Sequence, residues 1–149
     1  MKIKAKEGNI FAVPLIEAGY GIGLVARIEK TIMLGYFFKR SLSTVSDELN
    51  VSDIKNWDIV LIARFSYLGI QNGNWPLIGN ISEYNRNEWP IPIFRMQEPL
   101  SEKYFAVVYN EDLLKEERYL ISEEEAEKLF GYGLYGYIAL EKKLSAILT

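Results

Sequence analysis

Three short apolar runs crowd the first 38 residues, and their spacing leaves room for strands but not for packed helices. Residues 9–15, 22–29 and 32–38 are brief and rich in aromatic and large apolar side chains, which suit a pleated, half-buried surface. Gly19, Gly21 and Gly23 open the second run, where glycines supply a turn or let two backbones approach closely. Only Glu29-Lys30-Thr31 separates the second run from the third, a hairpin-length turn without the Asn-Gly signature. Consecutive strands so spaced predict a β-meander, an antiparallel twisted sheet or a small barrel.

The rest of the chain extends that plan and then changes character. Residues 39–56 interleave Ser41, Ser43, Ser46 and Ser52 with Asp47, Glu48, Asn50 and Asp53, which reads as a loop with room for one helical turn. Residues 57–65 form a continuous apolar run headed by Trp57 and are the central-strand candidate, with Trp57 in the core. Residues 77–81, 103–109 and 117–121 predict further strands. Residues 88–92 hold Pro90 and Pro92, lack two amide donors, and are expected to be extended and irregular, neither helical nor a central strand. Ser122 and Glu125 make a capping box for a helix that Gly131 stops, and 136–148 predict a second helix with Tyr137, Leu140, Leu144, Ile147 and Leu148 on one stripe. The expectation is one α+β domain over residues 1–149, β-rich, with two short C-terminal helices.

The chemistry open to such a chain is narrow. It has no cysteine and no histidine, so a disulfide framework, a thiolate or imidazole metal site and a Ser-His-Asp triad are all excluded. Gly131-Tyr132-Gly133-Leu134-Tyr135-Gly136 has the spacing of a dinucleotide fingerprint, but an acidic helix precedes it instead of a strand. A helix cap and a close helix–helix turn explain it better. The glycines at 19–23 lack the Lys-Ser or Lys-Thr of a phosphate loop. Glu83 and Glu88 flank Tyr84 and Arg86, yet nothing in their spacing sets them across a substrate. No enzyme and no cofactor are expected.

Charge is unevenly placed. The chain carries a formal net charge of −3, whereas residues 98–127 hold ten acidic and three basic side chains, a local balance of −7. Such a segment disfavours nucleic acid and would steer a basic partner, although a solvated helix face is the simpler account. No secretory h-region follows the basic residues at 2–6, and the uncharged run 11–16 contains Pro14 and is too short to span a bilayer, so neither a secretory leader nor a membrane anchor is expected, and a cytoplasmic location is. Trp75 and Trp89 each precede a proline in a loop-like stretch. They either pin irregular backbone onto a sheet or present a binding surface.

Several segments in order carry a resemblance. Gly8-Asn9-Ile10-Phe11-Ala12-Val13-Pro14-Leu15 is followed by Gly19-Tyr20-Gly21-Ile22-Gly23-Leu24-Val25-Ala26-Arg27 and Leu34-Gly35-Tyr36-Phe37-Phe38. Ala63-Arg64-Phe65, Gly73-Asn74-Trp75-Pro76-Leu77-Ile78-Gly79 and Trp89-Pro90-Ile91-Pro92-Ile93-Phe94 come next. Over residues 2–95 the chain resembles the immunity protein 26 family of bacterial polymorphic toxin systems. The resemblance implies a protein that binds and neutralises a cognate toxin by stoichiometric occlusion. The acidic stretch lies outside these motifs, which makes Asp112, Glu123, Glu124 and Glu127 the candidate contacts for a basic toxin such as a nuclease. The rival reading is a small SH3-like binding module that takes a peptide or small ligand in an aromatic groove of Trp75, Tyr84 and Trp89.

Overall fold

The structure, a computed structural model, describes residues 2–149. The three early runs become β1 (Asn9–Pro14), β2 (Tyr20–Glu29) and β3 (Ile32–Leu42), an antiparallel meander as the spacing predicts. After a 3-10 turn at Ile54–Asn56, β4 (Ile59–Ser66) pairs antiparallel with β3. A single helical turn, α1 (Leu68–Gln71), leads to β5 (Leu77–Asn80), which joins the far edge of β1. A second sheet follows from β6 (Phe94–Gln97), β7 (Tyr104–Tyr109) and β8 (Glu116–Ile121), all antiparallel. The chain then forms α2 (Glu123–Ala126), β9 (Phe130–Gly131), β10 (Leu134–Tyr135) and α3 (Tyr137–Leu148).

The larger sheet runs β10-β4-β3-β2-β1-β5 and the smaller β8-β7-β6-β9. Both are mixed, because β10 lies parallel to β4 and β9 parallel to β6. Neither closes into a barrel. The chain leaves the larger sheet after β5 and returns to it only as the two-residue β10 on the opposite edge, so the two edges never meet.

Alternation along the larger sheet buries both of its faces. Ile10, Ile22, Leu24, Leu34, Tyr36, Phe38 and Ile62 point one way, into a core shared with Trp57, Trp89 and with Phe94, Val107 and Tyr109 of the smaller sheet. Phe11, Val13, Val25, Phe37, Leu61, Ala63 and Phe65 point the other way, onto Ile70, Trp75 and the Leu140 and Leu144 stripe of α3. Strands buried on both faces read as unbroken apolar runs, which is the pattern of 10–15 and 59–63. Close approach on the second face requires a glycine at 23, where a Cβ would sit 2.4 Å from the Phe11 ring.

Several expectations are corrected here. The glycine segment at 131–136 neither ends α2 nor forms a tight turn between two helices, although Gly136 stands at the N-cap of α3. Instead α2 ends at Ala126, and residues 130–135 cross as extended chain from β6 of the smaller sheet to β4 of the larger. A Cβ at Gly131, Gly133 or Gly136 would meet nothing within 4 Å, so no steric demand sets that spacing. Glu88 closes a 3-10 turn, Arg86–Glu88, capped by the Asn85 side chain, which accepts from Asn87 N–H at 2.9 Å. Pro90 and Pro92 fall past this turn, where their missing donors cost it nothing. Four short elements, α1, β6, β9 and β10, are additions to the predicted plan.

Candidate functional site

Arg27 is the point at which β2 departs from strict alternation. Residue 25 of β2 opposes Gly35, but residue 27 already opposes Leu34, so Ala26 is an extra residue in the ladder. Without this bulge Arg27 would share the face of Val25 and enter the phenylalanine cluster under α3. The bulge turns it instead toward the smaller sheet, which is what bulges do to a side chain. There Arg27 is 2% exposed and fully engaged. Its Nε donates to Glu111 Oε2 at 2.6 Å, and one terminal nitrogen donates to Ala26 O at 2.8 Å and Trp89 O at 3.0 Å. Tyr84 Oη, 3.3 Å from the same nitrogen, donates in turn to Ala26 O at 2.6 Å.

Glu111, at the tip of the β7–β8 hairpin, is shared with Arg86 at 3.2 Å, and Arg86 also holds Glu7 through two bonds of 2.6 and 2.7 Å. The hydrogen bond from Arg27, with the nearby positive charges, holds the Glu111 carboxyl below its ordinary value of 4.5. Burial pushes the phenols of Tyr36 and Tyr84 up to about 12, so both stay neutral donors, Tyr36 to Pro90 O. The result clamps residues 84–92 onto the larger sheet, with Trp89 packed edge-on against Tyr36 at 5.0 Å. A buried guanidinium paired in this way acts on position and register.

The aromatic groove does not form. Trp75 is fully buried beneath α3, stacked parallel on Phe11 at 5.7 Å, with its Nε1–H donating to Glu141 at 2.8 Å. Trp89 is buried on the opposite face of the same sheet, and Tyr84 spends its hydroxyl on Ala26. Both tryptophans pin loops to the core, so the pinning reading holds and the shared surface is lost.

The acidic candidates lie around β8. Asp112 sits in the β7–β8 turn, and its carboxylate accepts from Leu114 and Lys115 N–H, both at 3.0 Å. Those bonds hold its pKa low and make it a turn-former. Glu123, Glu124 and Glu127 are exposed on or beside α2, while Glu125 is taken by the predicted capping box with Ser122. Glu123 and Glu127 line one hollow of about 450 Å³ with Arg95, Tyr104 and Tyr132. Asp112 and the α2 carboxylates therefore lie at opposite ends of β8, roughly 20 Å apart for a six-residue strand. The strand between them, 116–121, was visible in the sequence only as a strand. The Arg27 clamp was visible only as a charge inside an apolar run.

These features define a two-sheet α+β domain whose buried polar centre positions a loop and whose charged, open strand lies at one side. The immunity protein 26 family model matches residues 6–106, from just before β1 into β7. The match covers more than half of the chain, which therefore belongs to the immunity protein 26 family. Comparison with curated proteins and with solved structures gives no match. Among the described residues no helix is long and apolar enough to cross a membrane.

Proposed function

We propose that this chain protects the cell that makes it by binding a cognate toxin domain one to one in the cytoplasm and occluding its active site or an adjacent exosite. Membership of an immunity protein family over residues 6–106 is the observation that carries this reading. The chemistry agrees with it. The strongly held polar groups, Arg27, Glu111, Arg86 and Tyr84, are all consumed by the clamp on the 84–92 loop and activate no nucleophile. The acidic stretch, most of it beyond the matched region, favours a basic toxin, such as a nuclease, with charge complementarity raising the association rate and a few anchors setting affinity. The reading as an SH3-like module has no observation on its side once Trp75 and Trp89 are placed in separate cores.

Co-expression with the cognate toxin domain, sought among the products of the adjoining genes, tests the proposal. Rescue of growth, together with recovery of a one-to-one complex in a pulldown, is the expected result. Growth arrest undiminished by abundant, folded protein would overturn it.

A further inference from the structure

The four-stranded sheet ends on β8, and among the described residues no strand pairs with that edge. β8 is the longest of the four outermost strands: β5 has four residues, β9 and β10 two each. Its six pairs with β7 run from Tyr104–Ile121 to Tyr109–Glu116 without a bulge. Asn110 N–H donates to Lys115 O at 3.1 Å, which fixes the phase of the ladder. Residues 117, 119 and 121 share bonds with β7, so Glu116, Arg118 and Leu120 turn both N–H and C=O outward. Among the described residues no turn or loop bond reaches those groups.

Side chains around the edge are equally available. Tyr119 is 50% and Leu120 60% exposed, and Leu114 beside them is 48% exposed. Open strands usually carry a lysine, a proline or a bulge that blocks pairing. This strand has none of the three. What it has is negative charge: residues 110–127 hold eight carboxylates and two basic groups, a balance of −6. Arg118, the only cation within the strand, is occupied by Glu116 at 2.7 Å and lies over the Tyr132 ring. A second copy of this chain laid along β8 would bring acid against acid. A strand bearing lysine or arginine meets the opposite charge.

We infer that β8 is a docking edge that accepts an extended basic segment of the cognate toxin as an added strand. Backbone bonds from Glu116, Arg118 and Leu120 would supply the register, Tyr119 and Leu120 the apolar contact, and the flanking carboxylates the choice of partner. This rests on the immunity reading and names its interface. Glu123 and Glu127 become flanking charges of that edge.

Residue-resolved hydrogen exchange of this chain, alone and with the catalytically silenced cognate toxin domain, tests the inference. The expected signature alternates: amides of Glu116, Arg118 and Leu120 exchange freely in the isolated protein and become protected in the complex. Those of Glu117, Tyr119 and Ile121 are protected in both. Leu120→Pro removes one outward N–H without touching the β7 ladder and is expected to weaken toxin binding about tenfold or more. If that variant fails to fold, the exchange pattern of the unmodified chain decides. A tight complex in which the three outward amides exchange as before overturns the docking edge and leaves the immunity reading standing. Protection already present in the isolated protein at high concentration overturns the choice of occupant in favour of a second copy. Absence of both binding and neutralisation fails the immunity reading itself, and the edge proposal with it.

Discussion

The two sheets face different solvents. The larger one is covered on both faces, by the smaller sheet and loops on one side and by α1 and α3 on the other. The smaller one buries Phe94, Val107 and Tyr109 inward, yet its outermost strand is exposed at five of six positions. A doubly covered sheet tolerates little change, because every position on it is a packing position. A strand with one free edge and solvent around its side chains is constrained mainly by its ladder to β7. The family match spans β1 to β5 of the larger sheet and runs on through β6 into β7, leaving β8 outside it. The scaffold and the proposed docking edge are thus largely separate pieces of chain.

Substitutions can break or sharpen that contrast. Trp75→Ala empties a fully buried site on the α3 side of the larger sheet and should cost about 4 kcal/mol in urea unfolding. Arg27→Ala leaves a cavity and strips a donor from Trp89 O and Ala26 O, for about 3 kcal/mol, with the 84–92 loop losing exchange protection first.

Glu111→Gln should cost less, about 1 kcal/mol at neutral pH, because its carboxylate is 60% exposed and screened although it holds a buried arginine. Its pH dependence has a definite sign. The folded-state pKa is depressed, so the carboxylate stabilises the fold fully above its ordinary value of 4.5, and that contribution disappears as the pH falls through the lower folded value. The stability gap between the unmodified chain and Glu111→Gln should therefore be widest above pH 4.5 and close on acidification. A gap that stayed constant with pH would mean that the Arg27 pair does not form.

The smallest effect on stability is expected at α2. Glu123→Lys with Glu124→Lys should stay within about 0.5 kcal/mol of the unmodified protein. The same pair should slow toxin association and reduce its salt dependence, read in stopped-flow mixing at two ionic strengths.

Much of the scaffold was legible in the sequence because local pattern and final burial agree there. The runs at 9–15, 22–29 and 32–38 became strands with ends shifted by a few residues, and the α3 stripe buried Leu140 and Leu144 as its spacing required. The capping box at Ser122 formed because both of its bonds lie within four residues. What was not legible depends on partners far apart in the chain. Nothing near Phe130 or Leu134 announces parallel pairing with β6 or β4. Arg27 finds its carboxylate 84 positions away, and only the bulge at Ala26 sends it in that direction. The two loop tryptophans share a sequence context and end on opposite faces of the larger sheet, Trp75 in the core under α3 and Trp89 in the core shared with the smaller sheet.

The clamp has a consequence for how such a protein can be rewritten. Glu111 belongs to the hairpin beyond the matched region, yet the cation it satisfies is Arg27, deep in the matched scaffold. An exchange of residues 104–127 between relatives would bring in a new edge strand and a new acidic pattern while leaving every strand of the larger sheet in place. If the incoming hairpin lacked a carboxylate at position 111, Arg27 would lose its counter-charge and the 84–92 loop one of its anchors. If β8 is the docking edge proposed above, a change of partner requires that each new hairpin arrive with that one acid in place.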